Sequence, residues 1–97
     1  MTSYISARPS PDVIFRDLNG EAVLLDFGTG RYFGLNPVGT RIWTLLTEGS
    51  TVSAIVDILA AEFDAPAAEI AADVEVLLSE LSSRGLVIAE PAPGRGR

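Results

Sequence analysis

The sequence predicts an α+β domain: a three-stranded antiparallel β-meander followed by three α-helices, in the order of a winged helix-turn-helix. Three observations predict it. Residues 13–35 are β-prone segments punctuated by Asn19-Gly20 and Gly28-Thr29-Gly30. From Val38 onward the apolar residues recur three and four positions apart, the period of a helix face. Breaks at Asn36-Pro37, Gly49-Ser50, Asp64-Ala65-Pro66 and Gly85 divide that second half into three pieces.

The first predicted strand covers residues 13–16. Asn19-Gly20 then supplies the two positive-φ residues that a tight hairpin turn needs. The second strand covers residues 22–27, and Gly28-Thr29-Gly30 makes a second tight connection. The third covers residues 31–35 and carries two adjacent aromatics, Tyr32 and Phe33. As the last member of a meander it is expected at the sheet edge, with one row of backbone groups unpaired.

Asn36 is placed to cap the first helix, with Pro37 at its first position, where the missing N–H is not needed. Val38, Ile42, Leu45 and Leu46 form its apolar stripe, with Trp43 beneath the sheet. Ser50 or Thr51 opens the second helix, whose inner face is read as Val52, Ile55, Val56, Leu59 and Phe63. The third helix spans residues 67–84, with Ile70, Val74, Leu77 and Leu81 inward and Ala71 and Leu78 on one shoulder. Arg84-Gly85 is a C-terminal stop, and residues 86–88 are free to lie back on the body as a short strand. Residues 1–11 and 90–97, rich in Pro and Gly, are expected to be flexible tails around one domain at residues 12–89.

Composition removes whole classes of function. The chain of 97 residues has no His, Cys or Lys. That excludes thiol nucleophiles, disulfides, Ser-His relays, Schiff-base lysines and metal sites built on His or Cys. No cofactor and no metal is expected. The net charge is −6, and residues 42–83 hold eight acids and no basic residue. A winged-helix transcription regulator, the remote alternative, would have to bring that acidic helical face to a phosphate backbone, so nucleic acid is not an expected partner. No apolar run reaches the roughly 18 residues of a membrane helix, and the expected location is cytoplasmic. Carboxylates are the only plentiful acid/base groups, and nothing marks two of them as a buried catalytic pair.

The run Thr29-Gly30-Arg31-Tyr32-Phe33-Gly34-Leu35-Asn36-Pro37 resembles the PqqD-like family, also called RiPP recognition elements. The resemblance continues through Gly39, Ile42-Trp43, Leu45-Leu46, Thr51-Val52, Ala61-Glu62-Phe63-Asp64, Asp73-Val74, Leu77-Leu78, Leu81 and Gly85-Leu86-Val87. It implies a non-catalytic domain that binds the leader of a ribosomally made precursor peptide and delivers the core to a modifying enzyme. The leader would add as a strand beside the third strand and lie against the third helix. The implied partners are a lasso peptide leader peptidase and cyclase, which is the favoured reading. The alternative is a radical SAM enzyme of pyrroloquinoline quinone or another modified-peptide pathway.

The physics of an edge strand supports the same reading. Each backbone hydrogen bond contributes a net of roughly 0.5–1.5 kcal/mol, against an association cost of about 4–15 kcal/mol. Apolar pockets must therefore add about 1.5–3 kcal/mol per buried leader side chain. The candidate contacts are Arg31, Tyr32, Phe33, Gly34 and Leu35 on the strand. On the helix they are Ala71, Asp73, Val74, Glu75, Leu77, Leu78 and Leu81. Tyr32 and Phe33 point to opposite sheet faces, one of them inward. Gly34 is either a plain bulge glycine or a point of close backbone approach. Val74, Leu77 and Leu81 read as core before groove. Asp73 and Glu75 suit a basic leader residue or are plain surface acids; Arg31 suits a leader carboxylate. Val76 lies off the inner face and is unexpectedly apolar for an exposed site. The chain is expected as a monomer or a weak homodimer, since an unfilled edge can pair two copies.

Overall fold

A computed structural model describes residues 4–91. Two antiparallel sheets and three helices follow in the order β1 (Tyr4–Pro9), β2 (Val13–Leu18), β3 (Glu21–Asp26), β4 (Arg31–Gly34), α1 (Pro37–Thr47), α2 (Val52–Phe63), α3 (Ala67–Ser83) and β5 (Val87–Pro91). The expected meander is the sheet β2-β3-β4, and β1 and β5 pair separately as a two-stranded sheet. The architecture is therefore α+β.

The turns form where the sequence places them. Asn19 and Gly20 both have positive φ, and the Gly20 N–H donates to Asp17 Oδ1 at 2.8 Å. Asp26 organises the second connection: its Oδ1 accepts from Gly28 N–H at 2.9 Å and its Oδ2 from the Thr29 hydroxyl at 3.2 Å. Asn36 caps α1 by accepting from Gly39 N–H at 2.7 Å, and Thr51 caps α2 by accepting from Ala54 N–H at 3.1 Å.

The register decides the faces. Leu24 pairs with Phe15 on one side and Phe33 on the other, and these three face the helices. Phe15 stacks on Trp43 with ring centroids 6.5 Å apart. Leu25 pairs with Ile14 and Tyr32, which form a row on the outer face. The core gathers Leu24, Ile42, Trp43, Leu46, Ile55, Leu59, Val74, Leu78 and Leu81. Thr40, buried in α1, accepts from Ala22 N–H at 2.8 Å and so ties that helix to β3. A bidentate ion pair from Arg41 to Glu62, 2.6 Å at its shortest, ties α1 to α2.

Three expectations need correction. Residues 4–9 are not a tail but β1, and the domain does not end at residue 89, because β5 runs to Pro91. Pairing with β5 and burial of Ala7 give that segment an order that its Pro content does not suggest. Phe63, read as inward, is 45% exposed, because α2 ends there and Asp64 turns left-handed at φ 51°. Leu78, read as a shoulder residue, is fully buried, and Leu77 is only half-buried. The remaining parts of the expected tails, residues 1–3 and 92–97, lie outside the described residues.

Candidate functional site

Among the described residues nothing pairs with the outer side of β4. That edge borders a groove whose far wall is α3. Two cavities occupy the groove and meet at Phe33. One, about 390 Å³, lies between Arg31 to Phe33 and the end of α3 at Ser83 and Arg84, with Leu86 on its wall. The other, about 470 Å³, lies between Phe33 to Leu35 and the α3 residues Asp73, Val76, Leu77 and Glu80, with Val38 and Ile42 of α1 below. Volumes of this size suit side chains of a bound peptide.

The corners of the groove are firmly anchored. Leu35 N–H donates to Ala22 O at 2.8 Å, which prolongs the β3–β4 ladder into the start of α1. Gly39 is buried under that junction. An added Cβ would sit 3.2 Å from Leu35 Cδ2 and 3.3 Å from Asn36 Oδ1, so a side chain there would crowd the cap. At the other end Gly85, at φ 74°, closes α3, and Leu86 N–H returns to Leu81 O at 2.9 Å.

The aromatic pair resolves cleanly. Phe33 faces α3, half-buried, with the Arg84 guanidinium over its ring at 5.0 Å. Tyr32 is 70% exposed and belongs to the outer face, although it borders the first cavity. Arg31 shares Phe33's face of the strand and lines that cavity, while Gly34 and Leu35 line the second. An added Cβ on Gly34 would meet no atom within 4 Å, so the backbone there is open to close approach.

The helical candidates divide. Asp73 and Leu77 face the groove. Val74, Leu78 and Leu81 are fully buried and present no surface to a docked segment. Ala71 lines neither cavity, and Glu75 turns toward β1, where its Oε2 accepts from Tyr4 N–H at 3.3 Å. Val76, Glu80 and Arg84 also line the groove and were not among the expected site residues. The signal was present in the spacing: Asp73, Val76, Leu77, Glu80 and Arg84 are one stripe at three and four, beside the core stripe Ile70, Val74, Leu78, Leu81.

The groove thus offers unpaired backbone, apolar walls at Phe33, Val38, Val76 and Leu77, and charge at both ends. It can accept an extended chain, with alternate side chains in the cavities.

Known proteins resemble this chain in sequence and in fold. Residues 21–87 match the family described as Coenzyme PQQ synthesis protein D (PqqD). The solved structure of TbiB1 in complex with the TbiA(beta) leader peptide is 38% identical. The match covers 82% of this chain and 93% of that one, with a TM-score of 0.80. A lasso peptide synthetase B1 complexed with its leader peptide is 23% identical. It covers 86% of this chain and 98% of that one at a TM-score of 0.79, a likeness of fold. No curated protein matches the sequence. On the family match across most of the domain, and on the identity to TbiB1, the chain belongs to the PqqD-like family of RiPP recognition elements.

Proposed function

We propose that this protein binds the leader of a ribosomally synthesised precursor peptide and presents the core segment to modifying enzymes, without catalysing a step itself. The leader adds as a strand along the open side of β4, and alternate side chains enter the groove against α3. The observation that carries this reading is the juxtaposition of an unpaired strand edge with two cavities that meet at Phe33. Backbone pairing supplies sequence-tolerant affinity, and the cavities supply selectivity. The likeness to TbiB1, itself solved with a leader peptide, supports it.

The favoured partners are a lasso peptide leader peptidase and cyclase, acting in the cytoplasm where precursor and enzymes are made. The family description also fits service to a radical SAM enzyme in pyrroloquinoline quinone formation. Titration of a synthetic leader into the protein tests the reading. Saturable binding, with slowed amide exchange confined to β4 and the facing turns of α3, is expected. Binding that leaves β4 exchange unchanged would refute strand addition. Co-purification with a leader peptidase or with a radical SAM enzyme separates the two pathways.

A further inference from the structure

The groove carries opposite charges at its two ends. Arg31 and Arg84 line the cavity of about 390 Å³ at the start of β4. Asp73 and Glu80 line the adjoining cavity, Glu80 on the side next to Arg84 and Asp73 farther along. The described residues include five arginines, in a chain of net charge −6. Two of the five converge on this one cavity, while Arg41 is engaged by Glu62. Arg31 makes no ion pair among the described residues. Arg84 Nη2 lies 3.2 Å from Glu80 Oε2, a single contact that leaves most of a guanidinium's donors unused. Asp26, the one carboxylate lining this cavity, accepts hydrogen bonds from its own turn.

We propose that this cavity is a carboxylate subsite. A leader seated on β4 places an Asp or Glu side chain between Arg31 and Arg84, and that contact fixes the direction and register of the strand. The inference rests on the strand-addition reading and deepens it. Backbone pairing alone fixes register poorly, because a slip of two residues restores both the ladder and the faces. Parallel and antiparallel pairing also differ only slightly in stability. A charge at one end removes both ambiguities. A carboxylate is attracted by the two guanidinium groups and repelled toward the Asp73 end. In the free protein Glu80 occupies Arg84, so the incoming carboxylate competes with it.

The test uses the full chain and a panel built on the TbiA(beta) leader peptide, with Asp, Asn or Lys at each position in turn and affinities read by calorimetry. At one position Asp should bind about fivefold more tightly than Asn, as expected of a partly exposed ion pair, and Lys most weakly. The preference should shrink at high salt. Arg31→Gln and Arg84→Gln should each move the Asp-to-Asn ratio toward one. Glu80→Gln should do the opposite and tighten the Asp peptide. These side chains lie at the surface, and thermal melts check that the variants fold; the salt series on the unaltered protein stands without them. A panel that binds throughout with no preference for Asp would overturn the subsite and leave strand addition intact. A panel that binds but leaves the β4 amides unprotected would overturn strand addition itself.

Discussion

Val76 and Leu78 are two positions apart on α3 and do opposite work. Val76 is 67% exposed on the groove wall, and Leu78 is fully buried. Val76→Asp should weaken leader binding by roughly tenfold, the worth of one partly buried apolar contact, with an unchanged melting temperature. Leu78→Ala should cost about 2–5 kcal/mol of stability, measured by denaturant unfolding, because it leaves a cavity among Val74, Leu81 and their neighbours. The sequence showed that Val76 was out of place but not what it served. A spacing of three and four admits Ile70, Val74, Leu77 and Leu81 as readily as Ile70, Val74, Leu78 and Leu81. Rotation of the helix about its axis decides between Leu77 and Leu78, and packing against α2 and β5 sets that rotation.

At the scale of elements, caps and ties hold the groove in shape. Asn36 both ends the β4 segment and starts α1, so its side chain fixes the corner between groove floor and wall. Asn36→Ala should cost about 1 kcal/mol in thermal unfolding. The tie from α1 to α2 depends on pH. The Arg41 guanidinium, hydrogen-bonded to Glu62, holds that carboxyl below its ordinary range. The folded pKa is thus below the unfolded one. The contribution is present above the ordinary carboxylate range and is lost as pH falls through the lowered folded value. The difference in melting temperature between the unaltered protein and Glu62→Gln should therefore be small and positive at neutral pH and vanish in strong acid. Both side chains are more than a third exposed, which keeps the effect modest.

At the scale of the whole molecule, the two sheets have different roles. The β1-β5 pair joins the described ends of the chain and packs on all three helices. Removing residues 1–9 should lower the melting temperature by roughly 10 °C, since β5 loses its partner and Ala7 leaves the core. The β2-β3-β4 sheet instead leaves one side of β4 unpaired among the described residues. If copies pair through that edge, sedimentation should show a weak dimer that leader peptide dissociates.

Local chemistry in the sequence determined the turn at Asn19-Gly20, the cap at Asn36, the meander and the three helices, and it narrowed the second cap to Ser50 or Thr51, of which the fold uses Thr51. Those features depend on residues a few positions apart, so they are written where they act. Tertiary structure decided the rest: that residues 4–9 form a strand, that Phe33 rather than Tyr32 faces α3, and that Arg84 meets Phe33 and Arg31 across one cavity. Each of these turns on how a strand or helix is rotated and paired against a partner distant in sequence. Periodicity fixes the width of an apolar face but not which partner covers it.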